Sequence, residues 1–265
     1  MKGFNFILWI LLINCLCGCS STASVSVNHS SEILNVKHHT YKTINFPTSD
    51  ELTVYADYYS GNGKRSPLII LYHQAGFSRG AFRNIAPRLV ELGFNVLAVD
   101  LRSGDMVNHV INLTQKEALK KGKSTAFTDV IPDLEATYYY AKNKLKAKKI
   151  IYWGSSYSAS LGFYMAAKHP SDYKALIAYS PGEYFKIENK SISTFAKDVK
   201  IPVYISSARN EESNWRPIYN ALETKKDFYL PSKTAGHHGT FTLSSFYDDA
   251  EENWQTIIPF LKKLK

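Results

Sequence analysis

Five short apolar runs punctuate the chain: PLIILYH (67–73), FNVLAVD (94–100), KKIIYWG (148–154), YKALIAYS (173–180) and IPVYISSA (201–208). A run that is apolar on both faces has no side to show to water, so it belongs inside a sheet covered on both sides. Stretches with helical spacing lie between most of these runs. Parallel neighbours need a crossover, and a right-handed helical crossover is the usual one. The alternation therefore predicts a doubly wound, mostly parallel α/β sheet. In such sheets reactive groups gather beyond the carboxyl ends of the strands. The chain has 265 residues, enough for one sizeable domain of this kind.

The remaining segments fit around this frame. Tyr41 to Phe46 and Leu52 to Tyr59 alternate as an antiparallel pair, with a turn around Pro47 to Asp50. Arg79 to Leu92 carries a helical stripe at Phe82, Ile85, Leu89 and Leu92; Pro87 should kink or restart it, and Gly93 ends it. Asp129 to Lys144, Tyr157 to His169 and Asn214 to Leu222 read as helices, and KDFYLP as a last strand. Asp248 to Lys265 closes the chain with acids in its first turn and lysines in its last, matching a helix dipole. Thr114 and Glu117 have capping-box spacing for a short helix within the connection 103–128.

The N-terminus stands apart. Lys2 is followed by an apolar stretch, Phe4 to Leu16, too short to span a bilayer comfortably. Residues 1–18 read as a signal peptide, 19–38 as a tether rich in Ser, Asn and Val, and 39–265 as the folded domain. All three cysteines, Cys15, Cys17 and Cys19, lie in or at the end of the leader, so the domain has neither thiol nor disulfide. The formal charge of +9 comes from lysines in short groups. These read as solvated faces, with attraction to an anionic membrane surface as the sharper alternative. No nucleic-acid motif accompanies them, and no Cys/His spacing suggests a metal or other cofactor.

The segment Leu16-Cys17-Gly18-Cys19 resembles a bacterial lipoprotein lipobox. The resemblance implies that Cys19 is diacylated on its thiol and acylated on its new amine, anchoring the protein in the cell envelope. Ser20 in place of Asp points to the outer membrane over the inner. A plain cleaved signal or an uncleaved anchor is the alternative.

The run KKIIYWG leads into Ser155-Ser156-Tyr157-Ser158, where a strand gives way to a helix. A nucleophile on so sharp a turn needs small residues two places before and after it. Gly154 and Ser158 satisfy this around Ser156. Centring the turn on Ser155 crowds Trp153 against Tyr157, and centring it on Ser158 places it inside the helix.

The stretch resembles the nucleophile elbow of the α/β-hydrolase superfamily, with Ser158 where the second Gly of G-x-S-x-G stands. DLRSGD (100–105), DLEATYYYAK (133–142) and GSSYSA (154–159) are similar to dienelactone-hydrolase-related members. The resemblance covers roughly Tyr41 to Lys265. It implies an α/β-hydrolase fold with a minimal cap, a serine nucleophile at Ser156, and a base from AGHHGT (235–240), where His238 followed by Gly fits better than His237. The acid after IPVYISSA falls on Glu211, with Glu212 adjacent and Asn214 a poor substitute for want of charge. Oxyanion donors fall on the backbone N–H groups of Ala75, where Gln74 replaces the family's usual Gly, and Tyr157. His73 reads as structural. True dienelactone hydrolases use a cysteine nucleophile, so that specific activity is not implied.

The order Ser156, Glu211, His238 is the chain order of this superfamily. The implied chemistry is acyl transfer to water on a small-molecule ester, without cofactor. Tyr184, Phe185 and Phe195, in the connection 181–200, are expected as pocket walls, and Trp215 at the mouth. The alternatives are a peptidase, amidase or thioesterase on the same fold, or a non-catalytic binding lipoprotein.

Overall fold

The computed structural model describes residues 40–265. The leader, Cys19 and the tether fall at 1–39, outside the described residues. In chain order the elements are β1 (Lys42–Pro47), β2 (Thr53–Tyr59), β3 (Leu68–Tyr72), α1 (Ala86–Glu91), β4 (Asn95–Val99), β5 (Met106–Val107), β6 (Val110–Ile111), α2 (Leu113–Lys120), α3 (Ile131–Asn143), β7 (Ile150–Ser155), α4 (Tyr157–Lys168), β8 (Tyr173–Tyr179), α5 (Ile192–Ala196), β9 (Val203–Ser206), α6 (Glu212–Ala221), β10 (Lys226–Tyr229) and α7 (Ala250–Lys262).

Eight strands form one sheet in the order β1-β2-β4-β3-β7-β8-β9-β10. The pairs β1/β2 and β2/β4 are antiparallel, and every other pair is parallel. This is the doubly wound, mostly parallel sheet with antiparallel N-terminal strands that the apolar runs predict. Alternate side chains along each strand feed two separate cores. Ile70, Leu97, Tyr152 and Leu176 face one layer of helices, while Ile69, Leu71, Trp153 and Ile177 face the other. Every residue of β3, β4 and β7 is buried. Each large apolar side chain so buried contributes about 1.5–3 kcal/mol.

Several local expectations change on folding. The Arg79–Leu92 stripe is split: a 3-10 turn spans Arg79–Phe82, and α1 restarts with Pro87 in its first turn, where no N–H is required. The cap of α2 is Asn112, whose side chain accepts from Gln115 N. Thr114 lies inside the helix and accepts from Tyr55 N instead, so the capping-box reading of Thr114 and Glu117 is corrected. The connection 103–128 also holds the hairpin β5–β6, which its mixed composition did not announce. Phe195 is buried edge-on against Tyr164, and Trp215 is fully buried with its indole N–H on Ser207 Oγ at 2.8 Å. Both belong to the core rather than to a pocket wall or mouth. Among the described residues no helix is long and apolar enough to cross a membrane.

Candidate active site

Between β7 and α4 a single residue, Ser156, makes the turn, with φ 59° and ψ −123°. That conformation costs a non-glycine residue about 1–3 kcal/mol and persists only where its surroundings enforce it. Here Ser156 N donates to Tyr179 O at 2.7 Å, locking the bend to the neighbouring strand. A Cβ on Gly154 would come within 2.5 Å of Ala159 Cα, so only glycine fits there.

Four serines stand at 155, 156, 158 and 160, and three are committed elsewhere. Ser155 Oγ accepts from Thr240 N at 2.9 Å and donates to Gln74 Oε1 at 3.3 Å. Ser158 Oγ accepts from Ser155 N at 2.9 Å and lies 3.0 Å from Tyr72 O. Ser160 Oγ donates to Gly182 O and accepts from Gly182 N. All three are buried, and Ser156 alone of the four is partly exposed.

The two adjacent histidines diverge. His238 Nδ1 is hydrogen-bonded to Glu211 Oε1. His237 turns away, stacking on Tyr247 at 3.6 Å between ring centroids, with Nε2 3.3 Å from Asp249 Oδ1. The adjacent glutamates also part: Glu212 pairs with Arg216 one helical turn on. Asn214 is exposed on α6. Glu211 keeps its second oxygen for Ser180 Oγ at 2.6 Å and Ala208 N at 3.1 Å. Burial raises the Glu211 pKa, but the bonds from His238 and Ser180 outweigh it, and the carboxyl titrates below its usual range. Nothing in the sequence marked Ser180 beyond its place as the polar residue ending an apolar strand. Its hydroxyl donates to Glu211 and accepts from Gly239 N at 2.8 Å, so one buried group ties the Glu211 loop to the His238 loop.

Ser156 Oγ and His238 form no hydrogen bond with each other in this structure. Their loops are stitched one residue before Ser156 and two after His238, through Thr240 N donating to Ser155 Oγ. Gly239 sits in that seam at φ 72°, where a Cβ would lie 2.3 Å from both Ser155 Oγ and Gln74 Oε1. This steric limit explains the His-Gly pair.

Ala75 lies exposed in a turn closed by Phe77 N donating to Gln74 O. Gln74 contributes a side-chain strut to Ser155 where a glycine could offer none. Tyr157 N–H is the first of the N–H groups of α4 left without a helical partner, at the positive end of the helix dipole. Beneath the turn, His73 is fully buried; its Nδ1 faces Gln74 O at 2.8 Å and its Nε2 accepts from Leu101 N at 2.9 Å. Burial lowers the His73 pKa to about 4, against the pull of the Gln74 carbonyl on Nδ1–H. The ring is neutral near pH 7 and its role is structural.

The model of the dienelactone hydrolase family matches residues 55–263. The chain belongs to that family. Comparison with curated proteins gives no match. Among solved structures, the Pyrococcus furiosus esterase superposes with a TM-score of 0.66 at 19% identity, covering 85% of this chain and 93% of that one. A dienelactone hydrolase from Anabaena variabilis gives 0.64 at 14% identity, covering 86% and 97%. A thermostable carboxyl esterase from Bacillus coagulans gives 0.62 at 13%, covering 85% and 99%. At these identities the likeness establishes the α/β-hydrolase fold, and the family match makes the protein a hydrolase.

In this dienelactone hydrolase family member, aromatic rings gather around Tyr157, the residue after Ser156. Phe127 stacks on the Tyr157 ring at 4.6 Å and approaches Phe185 at 6.1 Å. Tyr184 donates its hydroxyl to Ser180 O at 2.8 Å. Burial and the Glu211 charge push its phenol up to about 12, and the nearby Ser156 hydroxyl pulls the other way. The loop after β4 bonds to the segment that follows β3, Leu101 N donating to His73 Nε2 and Gly76 N to Ser103 O. Arg102 forks onto Asp133 and Asp50, and Arg79 is buried against Asp57 and Asp100. Burial raises Asp100 and Asp133 to about 6 against the attraction of their arginines.

Proposed function

We propose that this protein is a carboxylic ester hydrolase working through an acyl-enzyme. The observation that carries the reading is the bond between His238 and Glu211, together with a strained turn that leaves Ser156 the one partly exposed serine of the four. Ser156 Oγ attacks the ester carbonyl. His238 takes the hydroxyl proton on Nε2 and returns it to the leaving alkoxide. Glu211 holds Nδ1–H and stabilises the imidazolium that forms. The N–H groups of Ala75 and Tyr157 receive the oxyanion, where loss of one donor typically costs about 3–4 kcal/mol. Water activated by the same imidazole then releases the acid. The Ser156–His238 bond closes when substrate organises the site, as apo sites often require. The short connection 181–200 leaves the mouth open and suits small or exposed esters.

The same reading places Cys19 as the acylated anchor of a cell-envelope lipoprotein, supported by the Leu16-Cys17-Gly18-Cys19 segment. A fluorophosphonate probe tests the chemistry. Wild type should label and Ser156→Ala should not; labelling of both, or of neither, removes the serine-hydrolase reading. Activity on amides or thioesters exceeding that on p-nitrophenyl esters would redirect the substrate class. Palmitate incorporation that persists in Cys19→Ser would overturn the anchor.

A further inference from the structure

The parallel strands β3, β4, β7, β8, β9 and β10 all start at one end of the sheet, opposite the loops that carry Ser156, Glu211 and His238. Strand β1 runs the same way, because it is antiparallel to β2 and β2 is antiparallel to β4. The described chain therefore begins, at Thr40, at this basal end. Helix α7 also ends there: Lys263 and Leu264 share a cleft with Lys174, Pro202 and Lys225.

The segments at this end are 40–42, 60–67, 91–95, 144–149, 170–174, 197–202, 222–227 and the final 262–265. Together they hold fifteen lysines and arginines against five acids, a surplus of ten, while the whole chain carries +9. The rest of residues 40–265 is slightly acidic. Lysines scattered along the sequence are thus gathered by the topology onto one face. Lys146, Lys148, Lys149, Lys174, Lys225 and Lys263 are all exposed, and none has a salt-bridge partner among the described residues. Surface cations without partners keep their field available to an external anion. The cleft among them holds about 450 Å³ and is lined by exposed Lys174, Lys225 and Lys263, one carboxylate, Asp227, and buried Phe260 and Leu264.

We propose that this basal face docks on an anionic phospholipid surface, directing the Ser156 end away from the bilayer. Cations beside apolar side chains suit headgroup phosphates with glycerol and acyl carbons behind them. Thr40 emerges at the same face, and the 39 residues before it include the apolar stretch 4–16. The inference stands on charge placement and is independent of both acylation at Cys19 and the ester-hydrolase reading.

The test uses the full-length Cys19→Ser protein and co-sedimentation with phosphatidylcholine vesicles, plain or containing about one-third phosphatidylglycerol. Binding should be at least about tenfold stronger to the anionic vesicles and fall away near 0.5 M NaCl. Lys146→Glu, Lys148→Glu, Lys225→Glu and Lys263→Glu combined should abolish that preference. Lys116→Glu, Lys120→Glu, Lys186→Glu and Lys233→Glu combined make the same change in net charge at the other end and should leave it within about twofold. Equal effects of the two sets, or equal binding to both vesicles, would overturn the proposal. Preference for a short DNA duplex over anionic vesicles would also overturn it. Should the basal variant not fold, the salt series on the Cys19→Ser protein decides alone: a preference for anionic over plain vesicles that survives 0.5 M salt refutes the docking.

Discussion

The two ends of the sheet spend their polar residues in opposite ways. At the carboxyl end, Ser155, Ser158, Ser160 and Ser180 are buried and hydrogen-bonded, Arg79 and Arg102 are sunk between carboxylates, and Ser156 is held in a strained turn. At the amino end, Lys146, Lys148, Lys149, Lys174, Lys225 and Lys263 are exposed and have no salt-bridge partner among the described residues. A buried polar group without a partner costs about 1–3 kcal/mol, so at the first end each of those buried serines and arginines is tied to a partner and holds geometry. An exposed lysine costs nothing to leave unpaired, so the second end is free to carry charge. The contrast teaches that position within one fold, rather than residue type, separates groups that hold geometry from groups that project a field.

Ser156→Ala should break the contrast most severely, lowering kcat on a p-nitrophenyl ester by about 10⁴-fold or more with the fold intact by circular dichroism. Glu211→Gln leaves the shape but removes the charge that supports the imidazolium, and kcat should fall by roughly 10³–10⁴-fold. Ser180→Ala sharpens the point at a smaller scale, roughly tenfold. The Ser180 bond helps hold the Glu211 pKa down, so without it the carboxyl protonates at higher pH and the acid limb of the kcat/KM profile should move upward. An unmoved limb would mean that Ser180 only fills space.

His73 tests rigidity rather than chemistry. Its folded pKa is about 4, below an unfolded value near 6.5. The stability it contributes is complete above the unfolded value and is lost as pH falls toward the folded one, about 3 kcal/mol in all. Asp100 and Asp133, raised to about 6, act in the opposite sense over much of that window. The readout is therefore the difference between wild type and His73→Gln in urea unfolding from pH 7 to 4, which should narrow as the pH falls. At the amino end, Lys148→Gln should change kcat/KM by less than about twofold, the smallest effect. A larger change would link the two ends.

Much of this was legible before folding. The buried runs placed the strands, and Gly154 and Ser158 placed the turn at Ser156, because steric crowding two residues apart is a local matter. Other features were not legible. Asn112 displaced Thr114 as a cap because Tyr55, on a distant strand, claimed the Thr114 hydroxyl. Trp215 and Phe195 went into the core because the sheet's outer layers had apolar space to fill.

Short-range sterics and hydrophobic periodicity act over a few residues, so the chain's own order determined the elements and the place of the turn at Ser156. The pairing of Glu211 with His238 rather than with their neighbours, the bridging place of Ser180, and the massing of lysines on one face arose only when crossovers set distant strand ends side by side. Hydrogen bonds and surface fields depend on distance through space, and that distance is fixed by the order of strands in the sheet.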